Sequence, residues 1–275
     1  MFRIVTDKPW LADVFKPFGA VQDVGVEVDP DTALDTIWWA PGGWAARAHK
    51  AKVVLPLLSC GPRWLDNLSR RYLGRDVVTL RLASMADREF EPEVFVKLAE
   101  AKHDSCRPKV YRTTRLAETM RQFGFPPDAL IQVQGVVEFV IEARFWVVRG
   151  DVVAESLYRI DDSIWGAADF AESTSSGRSV EALVQMRELA SEVAGEVAGP
   201  PGYVLDIGLS ADNETLVIEA NPAWSSGPYD GEPAAVYETI VAAHDFAGEH
   251  PEWAWQPNPI FERVEPLKTV SDTKF

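Results

Sequence analysis

The sequence has few of the residues that build metal clusters or covalent cross-links. Its 275 residues include two cysteines, Cys60 and Cys106, and four histidines. The cysteines lie far apart, and a chain of this length can bury a core without a disulfide, so we expect both thiols to be reduced. The histidines and cysteines do not have the spacing of zinc ligands. We therefore expect no structural metal.

Positive charge and long apolar runs are also scarce. The formal net charge is -15 at pH 7, so most of the surface would repel phosphates and we expect no nucleic-acid partner. No apolar stretch reaches the roughly 18 residues of a membrane span, and the first residues do not resemble a secretion signal. The sequence thus predicts a cytoplasmic protein without a membrane partner. It leaves the oligomeric state open.

The glycine-rich loops that hold phosphates in the commonest nucleotide-binding folds are absent. Neither GxGxxG nor GxxxxGK[ST] occurs. Pro41-Gly42-Gly43 is predicted to be a turn and not a phosphate loop. Any phosphate site must therefore concentrate cationic side chains locally.

The pattern of apolar residues predicts an α/β (α+β) fold. Short β-like runs at 2–6, 36–40 and 52–58 alternate with turn-rich stretches, which predicts an N-terminal α/β lobe over residues 1–76. From Val77 onward β-like segments dominate and predict an antiparallel system over 77–250. Residues 251–275 are rich in tryptophan and proline, and are predicted to form a C-terminal surface tail.

Two helices are predicted to pack on this antiparallel system. The first follows a polar loop at 173–177 and starts near Ser179, a suitable N-cap residue. Its apolar residues recur at helical spacing: Val180, Leu183, Val184, Ala190, Val193, Ala194 and Val197. The second is predicted over 232–246.

The last predicted hairpin turns at Asp212-Asn213 and carries a set of oxygen donors. If Ser210 pairs with Thr215, Asp206 lies opposite Glu219, and Asn221 shares the face of Glu219. Two carboxylates and an amide oxygen suit Mg²⁺. Ordinary polar residues on a solvated edge hairpin are the alternative.

A second hairpin is predicted to turn at Gly150-Asp151. This register pairs Glu142 with Arg159 and puts Arg144 on the same face. Arginines here could neutralise phosphate oxygens or a developing acyl phosphate, while the acid accepts ribose hydroxyls. A surface ion-pair ladder of little energy is the alternative.

Lys97 ends the apolar run Val94-Phe95-Val96, and Lys102 follows in a polar loop. An inward-facing lysine needs an anionic partner, because burying an ammonium group alone is costly. ATP phosphates would supply one. The alternative is that the side chain of Lys97 reaches outward to solvent.

Taken in order, these elements resemble the ATP-grasp superfamily. The phrases FVKLAEAK, VVEFVIEARFWVVRGDVV and IEANPAWSSGPY look closest to the clade marked by two arginines and a lysine. The resemblance covers roughly residues 75–247, and the part before it is similar to the variable lobe that precedes the grasp. The resemblance implies an ATP-grasp fold that binds ATP and Mg²⁺.

The resemblance also implies roles for individual residues. The arginines Arg144 and Arg159 would act near the γ-phosphate and the acyl phosphate. Mg²⁺ would be bound by Asp206, Glu219 and Asn221. The nucleotide would be bound by Lys97, Lys102, Glu142 at the ribose, and a hinge strand at 134–138 whose backbone reads adenine, which includes Gln134, Val136, Val137 and Glu138. The sequence departs from the family at Gln134-Gly135 and in the glycine-free loop at 103–107.

The implied activity is an ATP-dependent ligase. A carboxylate would attack the γ-phosphate, and an amine would then displace phosphate from the acyl phosphate, with small molecules or peptides as substrates. Two alternatives use the same site. One is a phosphotransferase that forms no amide, and the other is an ATP-binding regulator without turnover.

Overall fold

The N-terminal lobe contains a three-stranded parallel sheet with the order β2-β1-β4. The structure, a computed structural model, describes residues 1–270. The regular elements of this lobe are β1 (Phe2–Val5), α1 (Pro9–Val14), β2 (Ala20–Asp23), β3 (Glu27–Val28), β4 (Ile37–Trp39), α2 (Gly42–Lys50) and α3 (Arg70–Leu73). The predicted α/β character of this lobe is confirmed.

Two local predictions for this lobe are wrong. The run at 52–58 forms no strand, because Pro56 interrupts it. Leu57 and Leu58 make single bridges to His244 and Ala254, which lie outside the strands. Pro41-Gly42-Gly43 is not a free turn. Pro41 is the N-cap of α2 and Gly42 its first residue, since the alanine-rich sequence that follows favours a helix.

A four-stranded antiparallel sheet follows, with the order β5-β8-β6-β7. The elements of this region are β5 (Val77–Arg81), β6 (Glu93–Leu98), β7 (Lys109–Arg112), α4 (Leu116–Arg121) and β8 (Leu130–Gln134). Leu80, Val96 and Ile131 are buried together with Met85 and Met120 in one core. The sheet thus has one covered face, while Lys97 lies on the other by the alternation of strand side chains.

The second sheet is five-stranded and antiparallel, with the order β11-β10-β9-β12-β13. Its elements are β9 (Phe139–Val148), β10 (Asp151–Ile160), β11 (Ser163–Ile164), α5 (Phe170–Thr174), α6 (Gly177–Glu196), β12 (Gly202–Ser210) and β13 (Thr215–Asn221), followed by α7 (Pro233–Ala242). Helix α6 covers one face, with Phe145 and Leu205 in their common core. Trp146 and Val204 on the other face join the core of the N-terminal lobe and α7.

The turns of both hairpins differ in position from the prediction. The predicted pairings of Asp206 with Glu219 and of Glu142 with Arg159 are nevertheless found. Leu209, not Ser210, pairs with Thr215, and a bulge after Asp206 restores the predicted pairing of Asp206 with Glu219. The other hairpin turns at Arg149-Gly150, where both residues have positive φ angles of 50° and 89°, as a type I′ turn requires.

Two register shifts in that hairpin then bring Arg159 opposite Glu142, as predicted. Residues 136–138 precede β9 and form no strand, so the predicted strand at the hinge is wrong beyond Gln134. The chain there passes from one sheet to the other.

Helix α6 begins earlier than predicted. Ser176, not Ser179, is its N-cap, and its hydroxyl accepts a hydrogen bond from the Ser179 N–H at 3.3 Å. Part of the predicted loop at 173–177 belongs to α5. The predicted core residues Val180 and Val184 are exposed, because the helix packs on the sheet through the face that carries Ala182, Met186 and Val193. The second helix, α7, ends at Ala242 rather than at 246.

The described part of the predicted C-terminal tail is not purely a surface segment. Trp255 and Leu267 are buried against the N-terminal lobe and Ile260 against the four-stranded sheet. A last strand, β14 (Lys268–Thr269), pairs in parallel with β3. Short 3₁₀ segments lie at Lys16–Phe18, Ala33–Asp35, Trp64–Asn67, Leu82–Asp87, Ala223–Ser225, Pro251–Trp253 and Pro259–Arg263. Residues 271–275 of the predicted tail lie outside the described residues, and the domain limits stay a prediction.

Within residues 1–270, the helices are all too short or too polar to cross a membrane.

Candidate functional site

Arg144 on β9 and Asp206 on β12 form a buried ion pair on the sheet face turned toward the N-terminal lobe. The Nε and Nη2 atoms of Arg144 donate to the two carboxylate oxygens of Asp206, both at 2.9 Å. Nη1 donates to the Gly227 carbonyl at 3.1 Å. Burial lowers the pKa of Arg144, but Asp206 outweighs burial and raises it above its usual value. Burial raises the pKa of Asp206, and the guanidinium of Arg144 opposes that rise. The two short hydrogen bonds to an always-charged guanidinium make the pair ionic.

Glu219 and Asn221 on β13 extend this cluster toward the four-stranded sheet. The Asn221 amide donates to Asp206 at 3.1 Å and to Glu219 at 2.7 Å. Lys97 on β6 donates to Glu219, with 15% of the lysine side chain exposed. This contact joins the two sheets. The sequence predicted an anionic partner for Lys97. In the structure that partner is the Glu219 carboxylate rather than an ATP phosphate.

Charge compensation keeps the second carboxylate ionised. Burial raises the pKa of Glu219, but Lys97 and Asn221 more than offset burial and bring it to about 2. Two cations, Lys97 and Arg144, thus face two anions, Asp206 and Glu219. The cluster is neutral as a whole, so an anionic ligand needs additional positive charge.

A cavity of about 840 Å³ lies between this cluster and the N-terminal lobe. Lys97, Lys102, Arg144, Glu219 and Asn221 line it. Gly42 and Gly43 at the start of α2 line it from the N-terminal lobe, and Ser225 and Ser226 lie after β13. The structure therefore brings five of the predicted site residues to one cavity. Asp206 is 1% exposed and lies behind the cavity wall.

Glu142 and Arg159 form an ion pair beside this cavity but do not line it in the described chain. Two tyrosines that the sequence analysis missed connect them to Arg144. Tyr158 and Tyr229 stack with ring centroids 5.0 Å apart, and the Arg144 guanidinium lies 5.0 Å from the Tyr229 ring. Such contacts fix the orientation of a guanidinium. The one available signal was that Tyr158 precedes a predicted site arginine.

The predicted hinge residues lie apart from the cavity, at the junction of the two sheets. Val136 and Glu138 are exposed, and the Glu138 carbonyl already accepts a hydrogen bond from Ala211 at 2.8 Å. Val136 and Val137 form no backbone hydrogen bond within residues 1–270. Their N–H and C=O groups are therefore available to the polar edge of a base.

Gln134, the first hinge residue, is buried and holds the junction through Arg75. Arg75 donates from Nε to Gln134 at 2.8 Å, and from Nη1 and Nη2 to the carbonyls of Val217 at 2.9 Å and Ile218 at 3.1 Å. It thus ties the hinge to the strand that carries Glu219. Burial lowers the pKa of Arg75 to about 10. The sequence analysis missed Arg75, because its partners other than the nearby Leu73 carbonyl are 59 to 143 residues away.

The donor set fits a hard divalent cation. Among residues 1–270, no group of three or more His, Cys, Asp or Glu side chains could hold a metal ion. In this cluster the third donor is instead the side-chain amide of Asn221, beside the carboxylates of Asp206 and Glu219. All three side chains are oxygen donors, as Mg²⁺ prefers. Each carboxylate oxygen has more than one lone pair, so Asp206 can keep its bonds to Arg144 and still coordinate. Reversal of the Asn221 amide would present oxygen in place of nitrogen.

Comparison with protein families gives one match relevant to this site. The matching family model describes an ATP-grasp domain, family 2 of the clade named for two arginines and a lysine. It matches residues 72–239 of this chain. That range contains all the predicted site residues. Comparison with curated proteins gives no match.

Several solved structures are similar at low identity. The D-alanine–D-alanine ligase from Bacillus anthracis complexed with ATP is 13% identical, with a TM-score of 0.47, over 88% of this chain and 96% of that one. A D-cycloserine synthetase is 14% identical, with a TM-score of 0.45, over 88% and 98%. The D-alanine–D-alanine ligase from Coxiella burnetii is 15% identical, with a TM-score of 0.42, over 80% and 68%.

Proposed function

The chain belongs to the ATP-grasp domain family, in family 2 of the clade named for two arginines and a lysine, and from this membership we propose that it uses ATP to join a carboxylate to an amine. The substrates would be amino acids or peptides. The observation that carries the proposal is a charged cluster at one cavity between two lobes. Its members Lys97, Arg144, Glu219 and Asn221 line the cavity, and Asp206 lies directly behind them.

The charge balance of the cluster supports a site for metal-bound triphosphate. Phosphate oxygens would replace the Glu219 carboxylate as the partner of Lys97, while Arg144 keeps its bonds to Asp206. Mg²⁺ would be held by Asp206, Glu219 and Asn221 and would supply the positive charge that offsets these carboxylates next to ATP. Lys102, exposed on the cavity wall, would add a further contact to phosphate.

The remaining predicted residues would complete the nucleotide site. The backbone at 134–138 would bind adenine, through the Val136 and Val137 groups that form no backbone hydrogen bond within residues 1–270. Glu142 would accept the ribose hydroxyls. Arg159 would leave Glu142 to contact the transferred phosphoryl group together with Arg144. The lobe at 1–76 would form the opposite wall and bind the substrates.

The reaction would proceed in two transfers. A carboxylate oxygen attacks the γ-phosphorus, and ADP leaves with the electron pair of the broken P–O bond. The amine nitrogen then attacks the acyl carbon, and phosphate leaves. Arg144 and Lys97 stabilise negative charge at the phosphoryl group in both steps, so the protein itself need not supply a nucleophile.

The test is a screen of purified protein with Mg²⁺-ATP against pairs of amino acids and dipeptides. ADP release that depends on both members of a pair, with a product whose mass equals their sum minus water, would support the ligase. Glu219→Gln should lower kcat/KM by roughly 10- to 100-fold or more, which is the loss typical of mutations around a bound metal. Glu214→Gln, an exposed change on the same hairpin, is the matched control.

Two other outcomes would redirect the proposal. A phosphorylated product that accumulates without any amine requirement would identify a phosphotransferase. Tight ATP binding with no ADP release across the whole panel would identify a regulator without turnover.

A further inference from the structure

Glu100 is an acid in the wall of the cavity to which the reaction scheme above gives no role. It lies just after β6, three residues beyond Lys97, and lines the cavity with Arg144 and Glu219. The Ser59 hydroxyl donates to Glu100 Oε2 at 3.3 Å. The other oxygen, Oε1, is buried and has no hydrogen-bond partner within residues 1–270.

This arrangement is costly for the folded chain. A buried acceptor without a donor loses its hydrogen bonds to water and gains nothing in return. Glu100 also has a φ of +50°, a left-handed conformation that is unfavourable for a residue with a side chain, and such conformations cluster at functional sites. Trp44, across the same cavity, has a buried indole N–H that also has no partner in the described chain. Two residues of the cavity wall thus each hold a polar atom that lacks a partner in the described chain.

The surroundings of Glu100 keep its proton exchangeable near neutral pH. Burial raises the pKa of Glu100 to about 7, against the opposing effects of Ser59, the Gly61 N–H and Lys97. The nearby Cys60 is a neutral thiol, since burial, assisted by Glu100, raises its pKa well above the usual value. The other charged groups on the cavity wall are Asp7, Lys8, Lys102, Arg144 and Glu219.

We propose that Glu100 is the general base for the acceptor amine: its free oxygen binds the substrate ammonium group and removes one proton before the nitrogen attacks the acyl phosphate. This inference rests on the proposed ligase function and adds the substrate class of this wall, a primary amine. A protonated amine has no lone pair and cannot attack. A base positioned at the amine therefore controls the second transfer and not the first.

The step balances. The ammonium group gives one proton to the Glu100 carboxylate and becomes a neutral amine. Its nitrogen forms a bond to the acyl carbon while the bond from that carbon to the phosphate oxygen breaks. The phosphate leaves with the electron pair and takes the second proton from nitrogen as the amide forms. Glu100 then returns its own proton to solvent.

The experiment compares Glu100→Gln with the unchanged protein on both half-reactions. It uses the carboxylate and amine pair found by the ADP-release screen, and hydroxylamine as a second acceptor. Hydroxylamine is neutral at pH 7 and needs no base, so hydroxamate yield reports acyl phosphate formation alone. We expect Glu100→Gln to lower kcat/KM for the amine about 100-fold or more and to leave hydroxamate formation within about threefold.

The pH dependence separates a base from a structural residue. In the unchanged protein, the amine reaction should rise through a pKa near 7 and then level. In Glu100→Gln, it should keep rising with the fraction of free amine, so that the deficit shrinks at high pH. Glu214→Gln, which removes an exposed acid outside the cavity, is the control and should keep the profile of the unchanged protein. Equal losses with amine and hydroxylamine, or an unchanged profile in Glu100→Gln, would overturn the proposal.

A second variant guards against misfolding of the first. Ser59→Ala removes the hydroxyl that favours the charged carboxylate, so the acid limb of the amine reaction should move to higher pH while hydroxamate formation persists. An unmoved acid limb in Ser59→Ala would count against Glu100.

Absence of both ADP and hydroxamate in the unchanged protein would refute the ligase itself. In that case calorimetric titration with L-alaninamide decides on Glu100: weaker binding in Glu100→Gln than in Glu214→Gln supports its amine site, and equal or absent binding refutes it.

Discussion

Arg144 and Asp206 show how strongly single residues of this site depend on each other. Both are at least nine-tenths buried, and two hydrogen bonds of 2.9 Å join them. Arg144→Met would leave the Asp206 charge buried with the Asn221 amide as its remaining polar contact. We expect a loss of about 3–5 kcal/mol in the free energy of unfolding, measured by urea titration.

The double variant Arg144→Met with Asp206→Leu tests the reason for that loss. Since it removes both charges, it should recover a substantial part of the stability while remaining inactive. A double variant no more stable than Arg144→Met would show that packing, not the unpaired charge, causes the loss.

His244 makes stability depend on pH at a position remote from the cavity. It is buried, its Nε2 accepts from the Trp38 N–H at 2.9 Å, and its Nδ1 donates to the Ile240 carbonyl at 2.7 Å. Burial lowers its pKa to about 4, against the opposing effect of the Ile240 contact. Below pH 6.5 the unfolded chain binds a proton that the folded chain excludes. This stabilising contribution is therefore complete above pH 6.5 and is lost as pH falls toward 4.

We expect His244 to account for about 3 kcal/mol of lost unfolding free energy between pH 7 and pH 4. Urea titrations at both pH values should show a smaller loss in His244→Gln, whose amide can replace both hydrogen bonds. His49→Gln, at an exposed histidine, should behave like the unchanged protein. The same pH dependence in all three proteins would contradict this assignment.

Among the elements, β12 and α7 approach so closely that only glycine fits between them. A Cβ atom on Gly202 would lie 2.4 Å from the Thr239 carbonyl oxygen and 2.5 Å from the Ala243 nitrogen. Backbone atoms cannot move aside as a flexible side chain can. Gly202→Ala should lower the unfolding free energy by about 3 kcal/mol, at the upper end of overpacking costs, measured by urea titration.

Gly195 provides the control for that change. It lies in the last turn of α6, and a Cβ there would meet nothing within 4 Å. Gly195→Ala should raise stability by roughly 0.5–1 kcal/mol, because alanine loses less backbone entropy in a helix. If the two variants were equally stable, close approach at Gly202 would not be the deciding factor.

The elements also show what periodicity can and cannot predict. Alternation of apolar residues located the strands of both sheets and put Asp206 opposite Glu219 and Glu142 opposite Arg159. The turns were wrong by one residue, and bulges corrected the register. A bulge adds one residue without changing composition, so alternation alone cannot place it. The start of α6 was missed for a related reason, because several neighbouring serines could serve as its N-cap.

Contacts distant in sequence were the part that could not be predicted. Arg75 acts through carbonyls more than 140 residues away. Glu100 depends on Ser59, which directly follows the run at 52–58 that was predicted to be a strand. The sequence around Arg75 and around Glu100 does not indicate their roles, because the contacts of each form only when distant segments of the chain pack together.

For the whole molecule, ligand binding and stability should be linked through the cavity between the lobes. A ligand that binds only the folded chain stabilises it by about 2.7 kcal/mol when present at 100 times its Kd. We expect Mg²⁺-ATP to raise Tm in a concentration-dependent way, and ATP with EDTA to raise it much less. Differential scanning calorimetry is the measurement. Glu219→Gln should reduce the difference between the two conditions, and an equal shift with EDTA would contradict a metal-dependent site.

The tryptophans on the cavity wall give the protein a built-in optical reporter. Trp39, Trp44, Trp224 and Trp255 all line the cavity, and the rings of Trp224 and Trp255 are in edge-to-face contact at 5.1 Å. Indole emission depends on local polarity and on nearby charges. Arrival of a triphosphate or displacement of water beside these rings should change the emission of the unlabelled chain, so occupancy can be followed in real time without a dye or a coupled enzyme.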